Sequence, residues 1–192
     1  MRILFHRDFA MAARVPRRLA ADSLWDYALR LLGSRAHSTG ELRERLLRRA
    51  ECAGDVEPIL LRLKERGYLD DRRFAEAYSA ARLENQGFGK ARVLRDLRRR
   101  RVAPATAAEA VREVYSGTDE IELIEAYLQR KYRGKQLDTW LAEPKNLAAA
   151  YRKLRTAGFT ASNSIRVLKR FAAEPELLDS LETEEADEDQ GT

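Results

Sequence analysis

The sequence predicts an all-α protein of three tandem three-helix, helix-turn-helix-like units forming an elongated, curved body. Three observations carry this expectation. Apolar residues recur at spacings of three and four, no useful stretch alternates with period two, and the pattern itself repeats along the chain.

The apolar stripes follow one another in order. Leu42, Leu46 and Leu47 form one, and Val56, Ile59, Leu60 and Leu63 the next. Phe74, Ala77, Tyr78 and Ala81 come after, then Val93, Leu94 and Leu97. Start and stop signals agree with them. Ser38-Thr39-Gly40-Glu41 has capping-box spacing: the serine accepts from the amide three residues on and the glutamate reaches back. Asp55 is placed to cap the following helix, with Pro58 in its first turn, where a missing N–H costs little. Gly67 suits a left-handed C-terminal cap, Asp70 or Asp71 an N-cap, and Pro104 a helix start. Gly87, Gly89, Gly117, Gly134 and Gly158 mark further interruptions. Nine helices are expected, at about 23–34, 39–50, 55–66, 71–86, 89–101, 104–116, 119–134, 144–157 and 161–173.

These nine fall into three groups of three. Leu42, Leu46 and Leu60 recur 51 positions later as Val93, Leu97 and Val111. Leu97, Arg101, Val102 and Val111 recur 57 positions later as Leu154, Gly158, Phe159 and Leu168. The six extra positions fall near 135–143 and read as a longer loop. The expected organisation is a flexible basic leader (1–22), repeats at 23–67, 68–117 and 118–173, and an acidic disordered tail (174–192).

The net charge of +5 hides an asymmetry. The tail carries nine acidic residues and no basic ones, so residues 1–173 stand at +14. A body this basic favours polyanions or acidic protein surfaces. A single cysteine, Cys52, allows no internal disulfide and fits a reducing cytoplasm. No run approaches the roughly 20 apolar residues of a membrane span, so no membrane partner is expected.

The residue types of catalysis are scarce. The only histidines, His6 and His37, stand in the arginine-rich leader and just before a helix cap. No Cys/His spacing suits zinc. Gly89-Lys90 and Gly134-Lys135 lack the rest of a phosphate-binding loop, and no G-x-S-x-G element occurs. The expectation is a non-enzyme with no cofactor and no metal.

Arginine on the middle helices is the feature that points to binding. The first repeat carries Arg43, Arg45, Arg48 and Arg49; the second carries Lys90, Arg92, Arg95, Arg98, Arg99, Arg100 and Arg101, opposed only by Asp96. With Val93, Leu94 and Leu97 facing the core, Arg92, Arg95, Arg98 and Arg99 are expected to point away from it. Guanidinium groups on a rigid helix give bidentate contacts to phosphates or carboxylates. The near absence of Asn, Gln and Ser on this face suits phosphate or acidic-surface contact better than base reading. A stand-alone, nonspecific DNA-binding protein and a partner-binding regulator both stay open on this evidence. A second notable element is the corner Gly67, Tyr68, Leu69, Asp70, Asp71 and Phe74, read as a structural joint whose apolar residues pin successive units together.

At this corner the sequence resembles the RecX family. The match runs through Ala28 to Leu32, His37-Ser38, Glu41-Leu42, Leu46, Leu60 and Leu63. It continues through Gly67 to Ala75, then Arg82-Leu83, Gly87, Lys90 and Leu97. It is full over 23–115 and thinner over 119–173, where Leu154, Gly158-Phe159 and Leu168 carry it. Ala50 and Arg101 depart from it, standing where the family often has glycine. A monomer is expected, and the resemblance implies a regulator that docks in the groove of the RecA–single-stranded DNA filament. There it limits strand exchange, ATP hydrolysis and coprotease activity, touching DNA only weakly or nonspecifically within the filament.

Overall fold

The structure, a computed structural model, describes residues 18–172 and Leu178. The leader before Arg18 and the acidic tail other than Leu178 lie outside the described residues. Among these the fold is helical throughout, with one isolated β-bridge between Leu19 and Ala50. The first unit holds α1 (Ala21–Ser34), α2 (Thr39–Leu47) and α3 (Val56–Glu65). The second holds α4 (Asp71–Gln86), α5 (Lys90–Arg99) and α6 (Pro104–Val114). The third holds α7 (Glu120–Lys131), α8 (Leu137–Leu141), α9 (Pro144–Ala157) and α10 (Ala161–Leu168).

Each unit closes on its own core. Leu24, Leu42, Leu46, Leu60 and Leu63 fill the first, Val93, Leu97, Val111 and Tyr115 the second, and Ile124, Leu128, Tyr151, Leu154 and Leu168 the third. The positions 42, 93 and 150, 46, 97 and 154, and 60, 111 and 168 are all buried. The repeat seen in the apolar pattern is therefore a repeat of core positions. Burial pushes the Tyr115 phenol up to about 12, so it stays protonated and donates to the Phe88 carbonyl at 2.7 Å.

Three helix ends share one form. After α3, α5 and α9 the chain turns left-handed at Gly67 (φ 72°), Arg101 (φ 58°) and Gly158 (φ 92°). In each case the next amide reaches back five residues: Tyr68 to Leu63 at 2.9 Å, Val102 to Leu97 at 3.1 Å and Phe159 to Leu154 at 3.2 Å. This is the Schellman arrangement, which satisfies carbonyls that the helix leaves without partners. Arg101 is the one non-glycine residue with positive φ among the described residues.

The units join through their second helices. The Arg100 carbonyl accepts from the Ser38 hydroxyl at the start of α2. The Ala157 carbonyl accepts from the Gly89 amide at the start of α5, at 2.9 Å, and Ala91 N–H reaches Gly158 O at 3.2 Å. So the C-terminal end of each second helix docks on the N-terminal end of the one before it. Carbonyls without helical partners meet amides without helical partners, and the negative end of one helix dipole meets the positive end of the next.

Several local expectations are corrected. The loop near 135–143 contains α8, whose Leu141 is fully buried. Its Trp140 packs on Tyr132 with ring centroids 4.3 Å apart. α2 stops at Leu47 because the Leu46 carbonyl accepts from both Arg49 and Ala50, tightening the turn. Helix α10 ends at Leu168, and the turn beyond it continues in shorter steps, Arg170 N–H to Val167 and Phe171 N–H to Leu168. Asp55 makes no cap and sits in a 3₁₀ turn. Ser38 accepts from Glu41 N–H as expected, but Glu41 turns outward to two arginines instead of reaching back. Leu178 is helical and fully buried against the third core, so that core extends past residue 173 into the stretch read as a disordered tail.

Two glycines of the same left-handed type separate backbone strain from crowding. A Cβ on Gly67 meets nothing within 4 Å, whereas one on Gly158 collides with the backbone and Cβ of Arg92. Gly67→Ala is expected to cost about 1–2 kcal/mol from φ alone. Gly158→Ala is expected to cost at least about 2 kcal/mol more, because the junction must open. Urea unfolding of both variants measures the difference, and equal costs would mean that the junction does not depend on this approach.

Candidate functional site

The corner separates into distinct tasks. Asp70 caps α4, accepting from Arg73 N–H at 3.0 Å. Asp71, one residue on, instead accepts from Thr39 N–H at 2.7 Å, placing a carboxylate at the N-terminus of α2 and tying α4 to the first unit. Leu69 is buried in the first core, and Phe74 packs against the second and stacks on Tyr78. Tyr68, expected to help pin the units, remains 54% exposed. It lines an open, mainly apolar groove of about 550 Å³ together with Leu29, Leu32, His37 and Phe74.

The arginines divide among four settings. Arg43 forms a bidentate pair with Glu57 across the first unit, at 2.6 and 2.9 Å. Arg49 lies half-buried against the Tyr27 ring, 5.2 Å from its centroid. Arg92 and Arg95, read as free outward groups, are engaged at the junction with the third unit. Both donate to the Thr156 carbonyl near the end of α9, at 3.5 and 3.0 Å, and Arg92 also pairs with Asp96 at 3.4 Å. They thereby act as C-terminal caps for a neighbouring helix, where cations are favoured. Arg45, Arg48, Lys90, Arg98 and Arg99 have no hydrogen bond or ion pair within the described residues, and all but the half-buried Arg45 are exposed.

The structure gathers Arg92 and Arg99 with three arginines that sequence reasoning did not select as contacts, Arg35, Arg82 and Arg100. Together they line an open basin of about 500 Å³ between α2, α4 and α5. Two carboxylates share it. Glu41 binds Arg35 and Arg100, each at 3.2 Å. Asp96 binds Arg92 and accepts from the Tyr78 hydroxyl, both at 3.4 Å. The guanidinium carbons of Arg82 and Arg100 each stand 4.7 Å from the Tyr78 ring centroid. Arg35 comes from the loop before α2 and Arg82 from the far end of α4, so no sequence spacing announces their meeting. The doublet Arg99-Arg100 was visible in the sequence; its opposite sides could not be.

Among the described residues no group of three His, Cys, Asp or Glu side chains is placed to hold a metal ion. No helix there is long and apolar enough to cross a membrane. Fold and face together define a helical-repeat protein with an open, arginine-lined basin at the junction of its first two units. Comparison with known proteins narrows this class. A family model described as "RecX, second three-helix domain" matches residues 70–111. The regulatory protein RecX of Trichlorobacter lovleyi is 33% identical over 139 residues, covering 72% of this chain and 85% of that one. That of Halorhodospira halophila is 40% identical over 94 residues, covering 49% of this chain and 58% of the relative. The chain belongs to the RecX family of regulatory proteins. The crystal structure of RecX from Lactobacillus salivarius shares the fold, with a TM-score of 0.60 at 15% identity over 79% of this chain and 96% of that one. A second crystal structure of regulatory protein RecX gives 0.61 at 19% identity over 77% and 72%.

His37 stands two residues from Arg35 of the basin, and burial perturbs its titration. It is 4% exposed, and burial lowers its pKa below the ordinary value of about 6.5. The Arg35 carbonyl 2.9 Å from Nδ1 works against this, and the Arg35 and Arg45 charges work with it. The folded state holds the neutral ring, while the unfolded chain takes up a proton below about pH 6.5. The His37 contribution is thus complete above that pH and is lost as pH falls through the lower folded value. The urea midpoint should drop between pH 7 and 5, and His37→Gln should flatten the drop; an identical slope in the variant would contradict the assignment.

Proposed function

We propose that this protein binds the RecA–single-stranded DNA filament and modulates RecA, most directly by inhibiting its recombinase, ATPase and coprotease activities. On this reading it acts in the cytoplasm as a monomer, is not an enzyme and needs no cofactor. The observation that supports it is the grouping of arginines at the junction of the first two units, in a member of the RecX family whose body is strongly basic. Separate cores joined end to end suit a long groove better than a closed ligand. The exposed Arg98, Arg99 and Lys90 of α5, with Arg45 of α2 and Arg48 at its C-terminal cap, supply contacts to phosphates or to acidic protein surfaces.

A second reading, a stand-alone nonspecific DNA-binding protein, draws on the same basic face. It requires tight binding to bare DNA that falls steeply with salt. The filament reading requires weak binding to bare DNA and strong binding to the RecA-coated strand.

The deciding measurement is RecA's DNA-dependent ATP hydrolysis at moderate salt with substoichiometric amounts of this protein. Inhibition well below one molecule per RecA is expected, because simple competition for DNA would require far more. Unchanged hydrolysis together with tight, salt-sensitive binding to bare DNA would favour the second reading.

A further inference from the structure

We infer that the basin between α2, α4 and α5 is a seat for one backbone phosphate of a single DNA strand, read without regard to base. This rests on the DNA half of the proposed function and assigns it to a particular place. Five guanidinium groups face two carboxylates there, leaving a local charge of +3. Both carboxylates are already bound, Glu41 to Arg35 and Arg100, and Asp96 to Arg92 and Tyr78. They brace the arginines and leave the excess uncompensated.

The geometry favours an oxyanion with several acceptors. Arg82 and Arg100 lie against the Tyr78 ring, which restricts their planes while leaving N–H edges for an acceptor. Arg82 is further steadied by Gln86 at 3.2 Å. Arg99 is exposed and has no partner among the described residues, so it can close on a ligand without breaking an internal bond. A phosphodiester brings one charge and several acceptor positions to such a set, and a fork-shaped guanidinium matches it bidentately. Tyr78 is already engaged by two arginines and by Phe74, with centroids 6.2 Å apart, so no free aromatic face remains in the basin for base stacking. Contact confined to the backbone is positional and carries no sequence information.

The seat also spans two units. Arg35 and Glu41 belong to the first, Arg82, Arg99 and Arg100 to the second. A phosphate bound there would draw both sides of the junction toward one charge.

The test uses the full chain and fluorescently labelled single-stranded oligonucleotides, with anisotropy followed across a salt series and no RecA present. The variant is Arg82→Ala with Arg99→Ala. The control is Lys131→Ala with Arg133→Ala, an equal charge loss at the end of α7 outside the basin. The basin variant should bind more weakly and reduce the slope of log K against log salt by about 0.7, the value for one phosphate contact on a single strand. The control should leave the slope unchanged, and oligo-dT and oligo-dA should lose equally. Circular dichroism checks helicity; if the double variant unfolds, Arg99→Ala alone, at an exposed side chain, should still lower the slope.

Equal losses in basin and control variants, an unchanged slope, or a loss confined to one base would overturn the inference. So would displacement by polyglutamate that depends on Arg82 and Arg99 while oligonucleotide binding does not; the basin would then belong to an acidic protein surface. Because RecA is absent, the outcome is separate from that of the hydrolysis measurement. An Arg82- and Arg99-dependent slope upholds the seat even where RecA hydrolysis is unaffected.

Discussion

Three backbone carbonyls hold this array in order. Arg49 O, Arg100 O and Ala157 O stand at equivalent places, 51 and then 57 residues apart, at the end of the second helix of each unit. Each accepts from the segment that precedes its unit. Leu19 N–H serves Arg49 at 2.7 Å, Gly89 N–H serves Ala157 at 2.9 Å, and the Ser38 hydroxyl serves Arg100. Ser38 and Gly89 are themselves 51 residues apart, so one bond position is made once with a side chain and once with the backbone. At the first unit Leu19 takes that place through its bridge with Ala50. Carbonyls at a helix end carry the concentrated negative end of its dipole, and leaving them buried without a donor is costly. The join therefore specifies which face of each unit meets the next.

Around this constant bond the side-chain charges are exchanged. At the first junction, Glu41 and Glu44 of α2 reach forward to Arg100 and Arg101. At the second, the equivalent places hold Arg92 and Arg95, which reach forward to a backbone carbonyl. One geometry is thus served by opposite charges, because the following helix end offers guanidinium groups in one case and carbonyls in the other. The consequence for function is that Arg92 and Arg95 are partly spent on architecture. The uncompensated charge shifts toward Arg82, Arg98 and Arg99, and charge reversal at 92 or 95 would disturb the junction as well as any ligand.

What was legible in the sequence follows from the same division between local and distant causes. The helices, the two repeat offsets, the left-handed turn at Gly67 and the helix end at Gly158 depend on residues within one or two turns, and their signals lie together in the chain. The corner was recognisable for that reason, although the separate tasks of Asp70 and Asp71 were not, since the Asp71 partner lies 32 residues away. α8 has a local signal of its own, the helical spacing of Leu137, Trp140 and Leu141. Arg35 and Arg82 had none, because the basin exists only once the first two units are docked.

The departure at Arg101 shows how the docking constrains the sequence on both sides. A left-handed arginine costs about 1–2 kcal/mol relative to glycine, and the equivalent residue of the third unit is Gly158. Opposite Arg101 stands Gly40, where any Cβ would strike the Arg101 Cβ and carbonyl. Opposite Gly158, the residue equivalent to Gly40 is Ala91, whose amide bonds Gly158 O at 3.2 Å. A Cβ on Gly158 would instead strike the backbone and Cβ of Arg92, so each junction excludes a Cβ at one point, on the α2 side in the first case and at the end of α9 in the second. Placing the glycine on α2 frees position 101 to carry a guanidinium, which pairs with Glu44 at 2.8 Å. The apparent loss of a cap glycine is thus compensated across the interface, and the same exchange adds positive charge to the junction where the basic face is concentrated.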